Sequence, residues 1–110
     1  MNIKQGIKLL EEVEGVGEEI KNGDYVEIRL NAWLNKGEQL QKDHIEKFKP
    51  GSRKLIPGIE LATVGMRLKG IRKVKISPHL GYKAKGVEGL IPPDAVLVYE
   101  IEVLAVESKR

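Results

Sequence analysis

Ten consecutive residues, Tyr25 to Leu34, alternate in character: Val26, Ile28, Leu30, Ala32 and Leu34 are apolar, and Glu27, Arg29, Asn31 and Trp33 stand between them. Successive side chains of an extended chain point to opposite faces, so this pattern predicts a strand with one buried face. Near the other end Leu97, Tyr99, Ile101, Val103 and Ala105 share one face, with Glu100 and Glu102 on the other. A third strand is predicted over Ile71 to Ile76, where Val74 and Ile76 share a face with Arg72, and shorter ones near Ile7 to Glu12 and Arg53 to Ile56. A sheet is therefore expected to form the body of the protein. By parity Trp33 points away from Val26 and Leu30, so it is expected outside the main core, capping the strand end.

One short helix is predicted to begin after Pro57. Pro57-Gly58 suits a helix start, Glu60 falls in the first turn, and Ile59, Ala62, Val64 and Met66 approximate an inner face. Gly65 and Gly70 limit it to one or two turns. Turns are marked by Gly15-Val16-Gly17, Asn22-Gly23-Asp24, Asn35-Lys36-Gly37 and Lys49-Pro50-Gly51. The long connection from Pro78 to Asp94 has no periodicity, yet Leu80, Tyr82, Val87, Leu90, Ile91 and Pro92 make it too apolar for disorder. It is expected to be an ordered flap, about residues 78–95, over a pocket.

At 110 residues, with 41% hydrophobic and 32% charged residues, the chain suits one soluble domain spanning 1–110. The absence of cysteine excludes disulfides, thiolate metal sites and a cysteine nucleophile. No apolar run approaches the ~20 residues that span a bilayer, and a cytoplasmic monomer is expected. Residues 1–27 hold seven acids against three lysines, whereas 61–87 hold seven Lys and Arg and no acid, so the net charge of +3 conceals a dipole. Only Tyr82 interleaves the basic block, which argues for solvated strand faces rather than nucleic-acid binding. The pairs Glu11-Glu12 and Glu18-Glu19 are likewise expected to be solvated. His44 and His79 stand far apart with no spaced carboxylate around either, so neither a metal site nor any other cofactor is expected.

Ile76-Ser77-Pro78, Gly81-Tyr82, Gly86, Gly89-Leu90-Ile91-Pro92-Pro93, Ala95 and the run Leu97 to Leu104 closely resemble the FKBP family of peptidyl-prolyl cis-trans isomerases, the immunophilins that bind tacrolimus. Leu55-Ile56-Pro57-Gly58-Ile59-Glu60 looks like the segment leading to that family's single helix. The resemblance covers roughly residues 5–106. It implies an α+β fold, a twisted antiparallel sheet of five to six strands wrapped around one short helix, with an apolar pocket between them. Leu30, Leu40, Leu55, Ile56, Ile59, Tyr82, Ile91 and Tyr99 would line that pocket, joined by Gln41 and by Val87 and Leu90 of the flap. The backbone amide of Ile56 and the hydroxyl of Tyr82 would hold the carbonyls of a proline-containing peptide or unfolded segment, with Ile59 as the floor.

Rotation about an Xaa-Pro bond crosses about 18–20 kcal/mol because amide resonance is lost, and no covalent bond is made or cut. The twisted amide is less polar than the planar one. A dry apolar site that binds the twisted form better lowers the barrier, each ~1.4 kcal/mol of differential binding being worth tenfold in rate. This chain departs from the family where aromatic rings are usual, with Leu30 for Tyr, Leu40 and Glu46 for Phe and Ile59 for Trp, and it has Gln41 in place of a carboxylate. The resemblance thus implies a weakened isomerase with poor affinity for tacrolimus-like ligands. The alternative is a module that holds proline-bearing or apolar segments without accelerating rotation. Ile56, Ile59, Leu30 and Leu40 would also be buried in any sheet-on-helix core.

Overall fold

The computed structural model describes residues 2–108; Met1, Lys109 and Arg110, which the single-domain reading also takes in, lie outside the described residues. Six strands form one antiparallel sheet: β1 (Asn2–Lys4), β2 (Ile7–Val13), β3 (Tyr25–Leu34), β4 (Gln39–Phe48), β5 (Ile71–Ile76) and β6 (Leu97–Glu107), in the order β1-β2-β5-β6-β3-β4. One helix, α1 (Pro57–Thr63), lies between β4 and β5 in the chain and packs on β5 and β6. The α+β arrangement expected from the alternating strands is present.

The alternation in β3 and β6 translates directly into burial. Val26, Ile28, Leu30, Ala32 and Leu34 of β3 are buried, as are Leu97, Tyr99, Ile101 and Val103 of β6. Val74 and Ile76 continue this face through β5, and Ile59, Ala62 and Met66 close it from the helix side. The helix comes very near the sheet at Gly58, where an added Cβ would lie 2.5 Å from Ile76 Cγ2. Only a residue without a side chain permits that approach. The helix ends at Thr63, and Val64 is extended and half-buried rather than part of its inner face.

One sequence expectation is corrected. Arg53 to Ile56 is a bend and not a strand, because the Arg53 and Leu55 N–H groups donate to the Glu60 carboxylate, at 3.1 and 2.8 Å, instead of to a neighbouring strand. In its place β4 precedes the bend, paired along β3. Trp33 lies outside the main core, as its parity predicts, half-buried on the outer face, and the Lys73 ammonium sits 5.5 Å from its ring centroid. The acidic pairs Glu11-Glu12 and Glu18-Glu19 are exposed, as expected, and two of their members also have cationic neighbours: Arg72 Nε donates to Glu12 at 2.8 Å, and Arg67 pairs with Glu14 and Glu19 at 3.7 and 3.9 Å.

The pairing of β2 with β5 explains those contacts. It sets Glu11 opposite Lys73 and Glu12 opposite Arg72, so the acidic first segment folds against the basic block. Arg72 points inward and also donates to the Ala62 and Val64 carbonyls at 2.9 and 3.1 Å. These oxygens are at the end of α1, where the helix itself offers no donors.

Candidate functional site

The helix starts without a side-chain cap, and Pro57 at its first position has no N–H to satisfy. Glu60 in its first turn serves the preceding loop instead. The buried carboxylate accepts from Gly51 N–H at 2.9 Å and Arg53 N–H at 3.1 Å on Oε1, and from Leu55 N–H at 2.8 Å on Oε2. Gly51 and Arg53 have φ of +93° and +67°, a left-handed backbone that costs a non-glycine residue energy unless its surroundings hold it there. Glu60 supplies that hold. The loop delivers Leu55 and Ile56, both half-buried, to the helix start. The Ile56 carbonyl accepts from Ile59 and Glu60, whereas its N–H makes no hydrogen bond among the described residues.

The expected flap is ordered by its own backbone. A 3₁₀ turn (Pro78–Leu80) opens it, Lys83 N–H donates to Pro78 O, Gly86 N–H to Tyr82 O, and Val87 and Ile91 exchange two bonds of 2.8 and 2.7 Å. At Gly86 (φ +63°) a Cβ would fall 2.3 Å from the Ile91 carbonyl oxygen, so only glycine lets the chain fold back this tightly. The loop thereby brings Tyr82, half-buried, against Tyr99 of β6. Burial raises the Tyr99 phenol well above the usual tyrosine range, and the Tyr82 hydroxyl adds to this by charge and by hydrogen bonding.

The residues expected to line a pocket separate into a buried and a half-buried set. Leu30, Ile59, Ile91 and Tyr99 are 2%, 4%, 7% and 3% exposed and belong to the continuous core. Leu40, Leu55, Ile56, Tyr82 and Val87 are half-buried against it. Gln41 is also half-buried, opposite Ala32, while Leu90 is 56% exposed on the outside of the flap. A shift in the β3–β4 register between Ala32 and Trp33 accommodates Leu40 as an extra residue, which is how the neighbours Leu40 and Gln41 both become half-buried. Val87, Leu90 and Ile91 also border an open groove of about 900 Å³ between the flap and the β3–β4 turn. A separate groove of about 630 Å³ between Tyr25, Phe48 and Val106 includes none of these residues.

One participant escaped the sequence reading. Glu60 was legible only as a helix-start acid, since nothing in its spacing points to the loop it binds.

A family model described as FKBP-type peptidyl-prolyl cis-trans isomerase matches residues 17–104. Over 108 residues the chain is 34% identical to the 39 kDa FK506-binding nuclear protein of Drosophila melanogaster, covering 94% of this chain and 30% of that one. It is 33% identical over 98 residues to an FK506-binding protein of Neisseria meningitidis, covering 84% of this chain and 89% of that one. Human peptidyl-prolyl cis-trans isomerase FKBP10 is 32% identical over 96 residues, covering 84% of this chain and 16% of that one. The chain belongs to the FKBP-type peptidyl-prolyl cis-trans isomerase family. It spans under a third of the Drosophila relative and nearly all of the Neisseria one.

Proposed function

We propose that this domain accelerates rotation about Xaa-Pro bonds in flexible or unfolded segments, at a reduced rate. The observation that carries the reading is the unpartnered N–H of Ile56, half-buried at the helix start against the core that includes Ile59 and Tyr99. In this reading a peptide carbonyl accepts from Ile56, Tyr82 orients a second carbonyl, and the aliphatic rim shelters the prolyl ring while the amide twists. No group needs to gain or lose a proton. The rate is reduced because Leu30 and Ile59 are packed into the core and leave a shallow rim where rings would extend the apolar contact.

The same shallowness favours a second reading, a module that binds proline-bearing or apolar segments without useful acceleration. A protease-coupled assay on an Xaa-Pro tetrapeptide separates the two. A rate above the uncatalysed one that scales with protein concentration is expected. Binding of the same peptide with no acceleration at tens of micromolar protein would replace the first reading by the second.

A further inference from the structure

The pairing of β4 with β3 places His44 opposite Leu30 and Glu46 opposite Ile28. Residues facing each other across antiparallel strands project to the same side, and Leu30 and Ile28 project into the core beneath the helix. Glu46 therefore occupies the site side of the sheet, with a side chain 23% exposed, beside His44 at 45%. Its Oε2 is 3.5 Å from His44 Nε2, and among the described residues the carboxylate accepts no hydrogen bond from any other group. Glu60, the buried carboxylate nearby in the chain, has both oxygens committed to backbone N–H groups. Lys47 pairs with Glu27 and projects to the opposite face, and Lys54 is bound to the Lys47 carbonyl at 2.6 Å. Glu46 is thus left with spare accepting capacity on a partly desolvated carboxylate.

A carboxylate in that condition recovers most when it meets a cation, because charge-assisted bonds are stronger than neutral ones. We propose that Glu46, with His44 beside it, is a specificity determinant that favours proline-bearing segments carrying a Lys or Arg side chain adjacent to the proline. The inference rests on the reading of the site as one for prolyl segments. The net charge of +3 works in the other direction at long range, but at about 0.15 M salt charges beyond roughly 8 Å are largely screened and the local carboxylate decides.

The test uses two sets of tetrapeptides, one with Lys, Leu or Glu before the proline and one with the same residues after it. Both kcat/KM and the dissociation constant from an NMR titration are measured for each. In at least one set the Lys peptide should exceed the Glu peptide by roughly two- to fivefold, as for a partly exposed ion pair. Glu46→Gln should bring that ratio close to unity, and Glu46→Lys should invert it. A ratio near unity in the unaltered protein at both positions, or a preference for Lys that persists in Glu46→Gln, overturns the proposal. Should no peptide be accelerated, the isomerase reading fails and the titrations alone decide the charge preference; should none bind, both fall.

Discussion

Glu60→Gln is the substitution whose consequences the structure defines most closely. Glutamine keeps the size of the side chain and one accepting oxygen, which can still serve Gly51 and Arg53 N–H as Oε1 does now. The new amide nitrogen must then face Leu55 N–H, donor against donor, where Oε2 accepts at 2.8 Å. One charge-assisted bond of about 1.5–3 kcal/mol is lost outright and the two that remain weaken to neutral strength. Water can reach the loop, since Gly51, Ser52, Arg53 and Lys54 are all exposed, and this offsets part of the cost. The expected net loss is about 2–4 kcal/mol, a large share of the ~5–15 kcal/mol that stabilises a domain.

Urea denaturation followed by the fluorescence of Trp33, the single tryptophan, measures that loss. Trp33 lies on the outer face of the sheet, away from the loop, so its signal reports unfolding of the domain. Peptide affinity should fall more than stability alone explains, because the loop carries Leu55 and Ile56 to the site. A urea midpoint and a peptide affinity both equal to those of the unaltered protein would refute the idea that this carboxylate holds the loop.

Three further outcomes follow from the same geometry. Tyr82→Phe should lower peptide affinity a few-fold by removing one hydrogen bond of about 0.5–1.5 kcal/mol to the peptide, readable by titration; unchanged affinity would remove Tyr82 from the site. Ile59→Trp should destabilise by about 1–3 kcal/mol with no gain in turnover, since the residue is enclosed by the core and the helix cannot retreat from Ile76 without cost; a faster enzyme of undiminished stability would show that the floor is more open than its burial indicates. Arg72→Met should cost about 1–3 kcal/mol by leaving the Ala62 and Val64 carbonyls and Glu12 without their shared donor, and a melting temperature unchanged within error would contradict that role.

The elements legible in the sequence are those whose two faces differ most. β3 and β6 bury one face and wet the other, and their alternation gave their positions almost to the residue. β4 was invisible for the converse reason: of Gln39–Phe48 only Phe48 is fully buried, and the register shifts near Leu40 and between Leu30 and Ala32 interrupt what alternation there is. The helix was found because Pro57 and Gly58 announce it, yet its most consequential side chain, Glu60, acts on a loop that precedes it. Side-chain to backbone bonds of that kind have no period. For the site, burial of Leu30, Ile59 and Tyr99 followed from strand parity and helix position, whereas the contact between Tyr82 and Tyr99 depends on how a seventeen-residue connection, 78–94, folds upon itself.

The strand order has a consequence for how such a domain changes through evolution. Leu40, Gln41 and Glu46 all belong to β4, which ends the sheet and has a hydrogen-bonded neighbour on one side only. A substitution there disturbs one ladder and a partly wet surface, while one at Leu30 or Ile59 disturbs the shared interior. If β4 sets selectivity as proposed, that selectivity is free to drift in a lineage while the scaffold beneath it stays the same, and descendants with very different preferences can keep nearly identical cores.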